Sequence, residues 1–164
     1  MVKYIDMHCD TLMTAWRKGA KTVYELEGTH ADVKRLLKGG CKAQFFAIFM
    51  PSIDWVPKLG DQYPGDDRYI ESLYELFCNT VNQHSDCVAQ AVNMAEIEVN
   101  DAAGKLSAVL TMEDGRAVLG SMERLEKYHG MGVRALSLTW NHENCFGFPN
   151  SWDKDAMAKG LKPF

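Results

Sequence analysis

The chain has 164 residues, a length that suits one domain with its own hydrophobic core. Its 46% hydrophobic and 24% charged residues are ordinary for a soluble globular protein, and a net charge of -4 without a basic stripe argues against nucleic-acid binding. No apolar run approaches the roughly 18 residues of a membrane helix, no signal peptide is recognisable, and five scattered cysteines without CxxC spacing indicate reduced thiols. We therefore expect a cytoplasmic protein with neither a nucleic-acid nor a membrane partner.

The first predicted element is a short strand over residues 3–7, and a helix over residues 29–38 follows it. Asp32 is an N-cap candidate for that helix, and two glycines after Lys38 suit its C-terminal end. Residues 41–50 are almost continuously apolar, which is typical of a parallel strand that is covered on both faces.

The rest of the chain continues this alternation. The further predicted elements are a loop with three prolines (51–67), helices (68–83 and 94–103), a strand (106–112), a helix (118–128), a strand (133–139) and a loop (140–148). Four strands separated by helices predict a parallel α/β fold. A (β/α)₈ barrel typically needs about 250 residues. The sequence therefore predicts a half-barrel, with only the first four or so β/α units of a TIM-type barrel.

The segment at the end of the first strand is the main candidate for a functional site. Asp6, His8 and Asp10 stand at alternate positions, so in a regular strand they would point to one face. Glu113 follows the strand over residues 106–112 and would lie at the same edge of the sheet. Two carboxylates and one imidazole from His8, Asp10 and Glu113 suit Zn²⁺. The alternative is a chance set of polar residues, with a solvated Glu113.

The loop after the fourth strand provides the second candidate. Asn141 and His142 lie on the same predicted rim, where they could bind a substrate carboxylate or an oxyanion. His142 could equally be an ordinary surface residue.

Four segments of the chain together resemble the renal (membrane) dipeptidase family, the zinc peptidase family M19. They are Asp-Met-His-Cys-Asp-Thr-Leu from residue 6, Gly-Gly-Cys-Lys-Ala-Gln-Phe-Phe from residue 39, Thr-Met-Glu-Asp-Gly from residue 111 and Gly-Val-Arg-Ala-Leu-Ser-Leu-Thr-Trp-Asn from residue 132. They occur in the family's order along the whole chain, so the set is more specific than any single motif. The resemblance implies a (β/α)₈ barrel with a two-zinc site, of which residues 1–164 would form the N-terminal half.

The resemblance also implies roles for individual residues. His8 and Asp10 would bind the first zinc, and Glu113 would bridge both zinc ions as the catalytic residue. We separately expect Asp6 to contact a metal ligand without binding metal itself. A metal-bridging hydroxide would attack the peptide carbonyl of a dipeptide substrate. The family's two further zinc-binding histidines, its catalytic aspartate and its substrate-binding arginine have no match here. We therefore expect at most one zinc and little or no activity in this chain alone.

One substitution and two other hypotheses remain open. Trp140 stands where some family members have a substrate-contacting histidine, and His142 lies two residues further on. Unpaired apolar edges on a half-barrel would favour a homo-oligomer, or a C-terminal half of the same barrel, as partner. A degenerate half-barrel could also act as a non-catalytic assembly or binding module. An amidohydrolase acting on cyclic amides is a third reading, but that class usually opens with His-x-His rather than His8-Cys9-Asp10.

Overall fold

The computed structural model describes residues 2–164, which form five strands and seven α-helices. The strands are β1 (Tyr4–Cys9), β2 (Cys41–Phe49), β3 (Val88–Gln90), β4 (Leu106–Glu113) and β5 (Val133–Leu136). The helices are α1 (Thr11–Arg17), α2 (Val33–Gly39), α3 (Val56–Leu59), α4 (Asp66–Gln83), α5 (Met94–Ala102), α6 (Met122–Gly130) and α7 (Lys154–Met157). Two 3₁₀ turns complete the set, Gly60–Gln62 and Gly115–Val118.

All strand pairs in the sheet are parallel, and β4 is its centre. Strand β2 lies between β1 and β4, whereas β3 and β5 both pair with β4. The short β3 pairs with the start of β4 and β5 pairs with its end. Because the strands run in one direction, the carboxyl ends of β1, β2, β4 and β5 meet along one rim. This arrangement confirms the predicted parallel α/β fold.

The two faces of the sheet are covered to different extents. On one face, alternate side chains of β2 and β4 join a large core with α1, α2 and α4, in which Phe46, Leu110 and Leu73 are buried. On the other face, Ala43 and Val109 pack with Ile97 of α5 in a much smaller cluster. We call this second face, which runs on to Ile5 and Met7 of β1, the inner face. Ile5 is 42% exposed and Met7 is 65% exposed.

Several predicted boundaries agree with the structure and others need correction. Asp32 is the N-cap of α2, as predicted, and its side chain accepts a hydrogen bond from the backbone N–H of Arg35. Helix α1 and the three-residue β3 were not predicted, so the sheet has five strands rather than four. The helix expected from residue 118 begins only at Met122, since Leu119 has φ 54 and interrupts it. The last strand ends at Leu136 rather than at residue 139.

No helix among residues 2–164 has both the length and the hydropathy needed to cross a membrane.

Candidate metal centre

A β-bulge in β1 sets the direction of the first candidate ligands. Asp6 pairs with Gln44 and Cys9 pairs with Phe46, so three steps along β1 match two steps along β2. The extra residue reverses the alternation of side chains, as bulges next to functional sites often do. Asp6 therefore shares its face with Cys9 and the helices, whereas His8 points to the other face. The expectation that Asp6, His8 and Asp10 converge on one spot is wrong for Asp6.

Asp6 instead contacts the backbone of the strand. Its carboxylate accepts a hydrogen bond of 3.0 Å from the N–H of His8, which holds the bulge that turns the imidazole. Cys9 packs against the helical core, and burial raises the pKa of its thiol to about 11. Cys9 lies on the face opposite His8 and is not among the residues whose ligand atoms meet at the candidate site.

His8, Asp10 and Glu113 do come together. The His8 Nε2 atom lies 3.4 Å from Asp10 Oδ1 and 3.2 Å from Glu113 Oε2. One potential ligand atom from each of the three residues lies within 4.8 Å of the other two. Glu113 arrives from the last position of β4, and Asp10 stands between β1 and α1. The three side chains thus reach one point from two separate strand ends.

The environment of this triad fits a divalent cation. Asp10 stands at the N-cap position of α1 but caps nothing, and its Oδ1 atom is buried without a hydrogen-bond donor. The pKa of Glu113 is raised, first by burial and then by the negative charges of Asp10 and Asp114, although His8 opposes the rise. A buried oxygen without a donor is unfavourable in the absence of a positive charge, and so are two carboxylates whose oxygen atoms lie within 4.8 Å of each other. A metal bound between them would remove both penalties.

Asp114, next in the chain to Glu113, joins the loops around the triad. Its buried carboxylate accepts hydrogen bonds from the Arg116 backbone N–H at 3.0 Å and from Asn144 Nδ2 at 2.6 Å. Its own N–H donates to Ser137 Oγ at 2.9 Å. Asp114 adopts φ 71, a conformation that costs a non-glycine residue of the order of 1 kcal/mol or more. These bonds hold the backbone directly after Glu113 in one position.

Arg116 fixes a second loop in the same region. Its guanidinium forms a paired contact with Asp66, with Nε–Oδ2 at 3.1 Å and Nη2–Oδ1 at 2.9 Å, and also donates to the Pro51 carbonyl. Tyr63 donates a hydrogen bond to the same Asp66 carboxylate. These bonds attach the loop after β2 to the turn that directly follows Glu113, the last residue of β4.

The structure places the predicted substrate-binding residues on the rim but outside the triad. Asn141 is exposed, and His142 Nε2 lies 3.2 Å from Asp54 Oδ2, on the loop after β2. A cavity of about 240 Å³ lies beside the triad, and His8, Glu113 and Trp140 are among its lining residues. Neither Asn141 nor His142 lines that cavity. Their predicted substrate contacts stay predictions.

Comparison with known proteins decides the family. The family model for membrane dipeptidase, peptidase family M19, matches residues 1–164 of the chain. The chain belongs to this family. M19 consists of metallo-dipeptidases, so at the level of the family the chain is that of a hydrolase.

The M19 relatives are longer than this chain. The dipeptidase aclJ of Aspergillus oryzae is 30% identical over 122 residues, which cover 73% of this chain and 28% of the relative. A crystal structure described as a dipeptidase and metallopeptidase of family M19 superposes with a TM-score of 0.75 at 23% identity, over 89% of this chain and 47% of that one. The structure of a metallopeptidase from Rhodobacter sphaeroides, bound to a phosphinate mimic of L-Ala-D-Ala, superposes with a TM-score of 0.75 at 23% identity. The match covers 89% of this chain and 48% of that one. The chain thus spans about half of each of these two M19 structures, or less than a third of the fungal relative, and its fold is the corresponding part of their barrel.

In this M19 chain, sequence reasoning found the triad and missed its supports. Asp114 and Arg116 come within three residues of Glu113, but nothing in their spacing indicates their partners. Arg116 binds Asp66, which lies 50 residues earlier, and Asp114 binds Asn144, which lies 30 residues later.

Gly115 lies between Asp114 and Arg116. A Cβ atom at this position would lie 2.6 Å from the ring of Phe146, so the residue must stay small. This requirement depends on where Phe146 packs and is not visible in the sequence.

Proposed function

We propose that this protein is a zinc-dependent dipeptidase and that residues 1–164 supply the N-terminal half of its barrel. The observation that carries the proposal is the meeting of His8, Asp10 and Glu113, with the Asp10 Oδ1 atom buried and lacking a hydrogen-bond donor. Membership of a metallo-dipeptidase family supports the same reaction.

In this proposal His8, Asp10 and Glu113 would hold zinc, with Glu113 shared between two ions. Bound zinc would supply a water that is nucleophilic near neutral pH and would polarise the peptide carbonyl. The chain's own residues fix the geometry: Asp6 holds the His8 backbone, and Asp114 holds the turn after Glu113. Glu113 is the catalytic residue among those described, since it alone would contact both ions.

We further propose that Asn141 and His142 bind the dipeptide outside the metal pair. Both lie on the rim beyond Trp140, which lines the cavity at the triad. His142 Nε2 lies 3.2 Å from Asp54 Oδ2, a contact that would orient the imidazole on the rim, and an imidazole N–H is a donor for a substrate carboxylate.

The described ligands are enough for one zinc and too few for two. Three protein ligands complete a catalytic zinc site that keeps one open position, whereas a second ion would have only Glu113. We therefore propose at most one zinc and little or no peptidase activity for the chain by itself, with a C-terminal half of the same barrel or a second copy as its partner. Five free cysteine thiols support a cytoplasmic location.

The test is zinc content after purification and dialysis, measured by elemental analysis on the parent, His8→Ala and Glu113→Ala. His129→Ala and Glu71→Ala remove exposed residues of the same types and serve as matched controls. We expect about one zinc per chain in the parent and in both controls, and loss of zinc in the two triad variants. A parent chain without zinc, or triad variants that retain it, would contradict the proposed site. Hydrolysis of dipeptides by the complete protein tests the reaction.

One observation favours a second candidate function. The inner face of the sheet exposes Ile5 and Met7 of β1, and such a surface is suited to association. The alternative is a non-catalytic assembly or binding module. A stable homodimer that binds no zinc and cleaves no dipeptide would favour it over the dipeptidase.

A further inference from the structure

An aromatic cluster lies on the rim beside the triad and has no part in the proposed metal chemistry. Trp140 packs edge-on against Phe49, with ring centroids 5.0 Å apart and planes at 88°. Trp55 contacts the same Phe49 ring at 6.4 Å and 75°. The three side chains come from the end of β2 and from the two loops that follow β2 and β5. We call them the aromatic wall.

The aromatic wall is next to the candidate metal centre. Phe49 pairs with Glu113 in the register of β2 and β4, so the two residues sit side by side at the strand ends. Trp140 lines the 240 Å³ cavity that also touches His8 and Glu113. The rest of this lining includes apolar side chains, among them Phe45 and Leu136. A molecule that fills this cavity beside the triad would lie against the indole of Trp140.

The loops that carry the two tryptophans are joined at their outer edge. The pair between His142 and Asp54 connects the loop of Trp140 to the loop of Trp55 at 3.2 Å. Phe49 is almost fully buried beneath them, which gives the wall a fixed base. A wall held from both sides can select a ligand by shape, because little ordering is needed on binding.

We propose that Trp140, which packs on the buried Phe49, forms a subsite for a large apolar or aromatic side chain of the dipeptide substrate and is its specificity-determining residue. This inference rests on the proposed dipeptidase function and adds the substrate class to it. Indole offers a broad apolar surface and a single N–H donor, so it rewards burial of hydrocarbon and edge-on aromatic contact. Indole carries no charge that could pair with a charged side chain, and to a carboxylate it offers only that one donor.

The experiment measures binding of three phosphinate dipeptide mimics to the complete, zinc-loaded protein by calorimetry. One mimic carries two alanine side chains, and the others carry phenylalanine in place of the first or the second alanine. We expect one of the phenylalanine mimics to bind about tenfold more tightly than the alanine mimic, within the range that apolar pockets achieve. Trp140→Ala should abolish that preference, and Trp140→Phe should keep most of it.

Trp152→Ala is the matched control, because this tryptophan is fully exposed and lies outside the cavity. It should leave the ratio of affinities unchanged. Trp140→His covers the case in which the alanine variant fails to fold, and it should lower the affinity for the phenylalanine mimic. Equal binding of all three mimics, or a preference that survives in both Trp140→Ala and Trp140→His, overturns the subsite. Absence of binding to every mimic overturns the dipeptidase proposal itself, so the two failures are distinguishable.

Discussion

Asp10 and Glu113 show, at the scale of single residues, how metal ligands lower the stability of the protein when no metal is bound. Their carboxylates share one imidazole, and burial together with Asp10 and Asp114 raises the pKa of Glu113 against the influence of His8. Glu113→Gln removes one of these charges at nearly constant shape. We expect metal-free Glu113→Gln to be more stable than the parent by about 1 kcal/mol, because a buried charge beside like charges is unfavourable.

The same variant should lose the stabilisation that zinc gives the parent. A ligand that binds only the folded state stabilises it by mass action, so thermal unfolding with and without zinc measures both effects. Glu71→Gln, on the exposed surface of α4, is the control and should change neither. A Glu113→Gln protein that is less stable without metal, yet still stabilised by zinc, would contradict the assignment.

The Arg116–Asp66 pair gives a second residue-scale prediction. Burial acts to raise the pKa of Asp66, but hydrogen bonds from Arg116 and Tyr63 outweigh it and hold the pKa below its usual value. A lowered pKa stabilises the fold above the unfolded-state value of about 4 and loses this contribution as the pH falls further. Asp66→Asn should therefore cost about 1 kcal/mol at pH 7, a modest figure because the carboxylate is partly exposed.

The difference between Asp66→Asn and the parent should shrink as the pH falls from about 4 towards 2, where the parent's carboxylate is protonated as well. Urea unfolding at several pH values measures it. Asp61→Asn, on the exposed 3₁₀ turn of the same loop, should show no such trend. A constant difference at all pH values would mean that Asp66 contributes through packing and not through its charge.

At the scale of elements, two helix caps of unequal burial permit a direct comparison. Asp32 is 1% exposed, and its carboxylate accepts hydrogen bonds from the N–H groups of Leu26 and Arg35. Asn93 caps α5 through one bond to the N–H of Glu96, on the surface. Asp32→Ala leaves buried donors unpaired, so we expect it to cost about 2 kcal/mol or more, against about 1 kcal/mol for Asn93→Ala. Chemical denaturation measures both, and equal losses would show that burial does not decide the cost of a cap.

The elements that sequence reasoning found are those with a strong local signal. Strands β2 and β4 are long apolar runs, α4 has a regular apolar stripe, and Asp32 has the residue type of a cap. Strand β3 has three residues, too few for a period of two to be visible, and it exists because β4 offers a partner. The bulge in β1 depends on pairing with β2, so its effect on Asp6 could not be derived from spacing.

At the scale of the whole molecule, the triad was predictable because parallel strands bring their carboxyl ends to one rim. His8 and Glu113 are 105 residues apart in sequence, yet strand order and direction alone place them near each other. The loops followed no such rule. His142 pairs with Asp54, and Asp114 is hydrogen-bonded to Asn144. Both contacts depend on how irregular segments fold back onto each other, which no local sequence pattern encodes.

The exposed inner face leads to the last prediction, which concerns association of the 164-residue chain. Ile5 and Met7 of β1 present apolar side chains on the inner face, where 42% of Ile5 and 65% of Met7 is exposed. We expect the chain to self-associate at micromolar concentration, because burying exposed apolar surface on an open sheet is favourable. Met7→Lys should shift sedimentation velocity profiles towards the monomer, since a charge cannot be buried there without a partner. Trp152→Lys places the same charge at a fully exposed site beyond the sheet, and an equal shift in that variant would assign the effect to net charge rather than to the inner face.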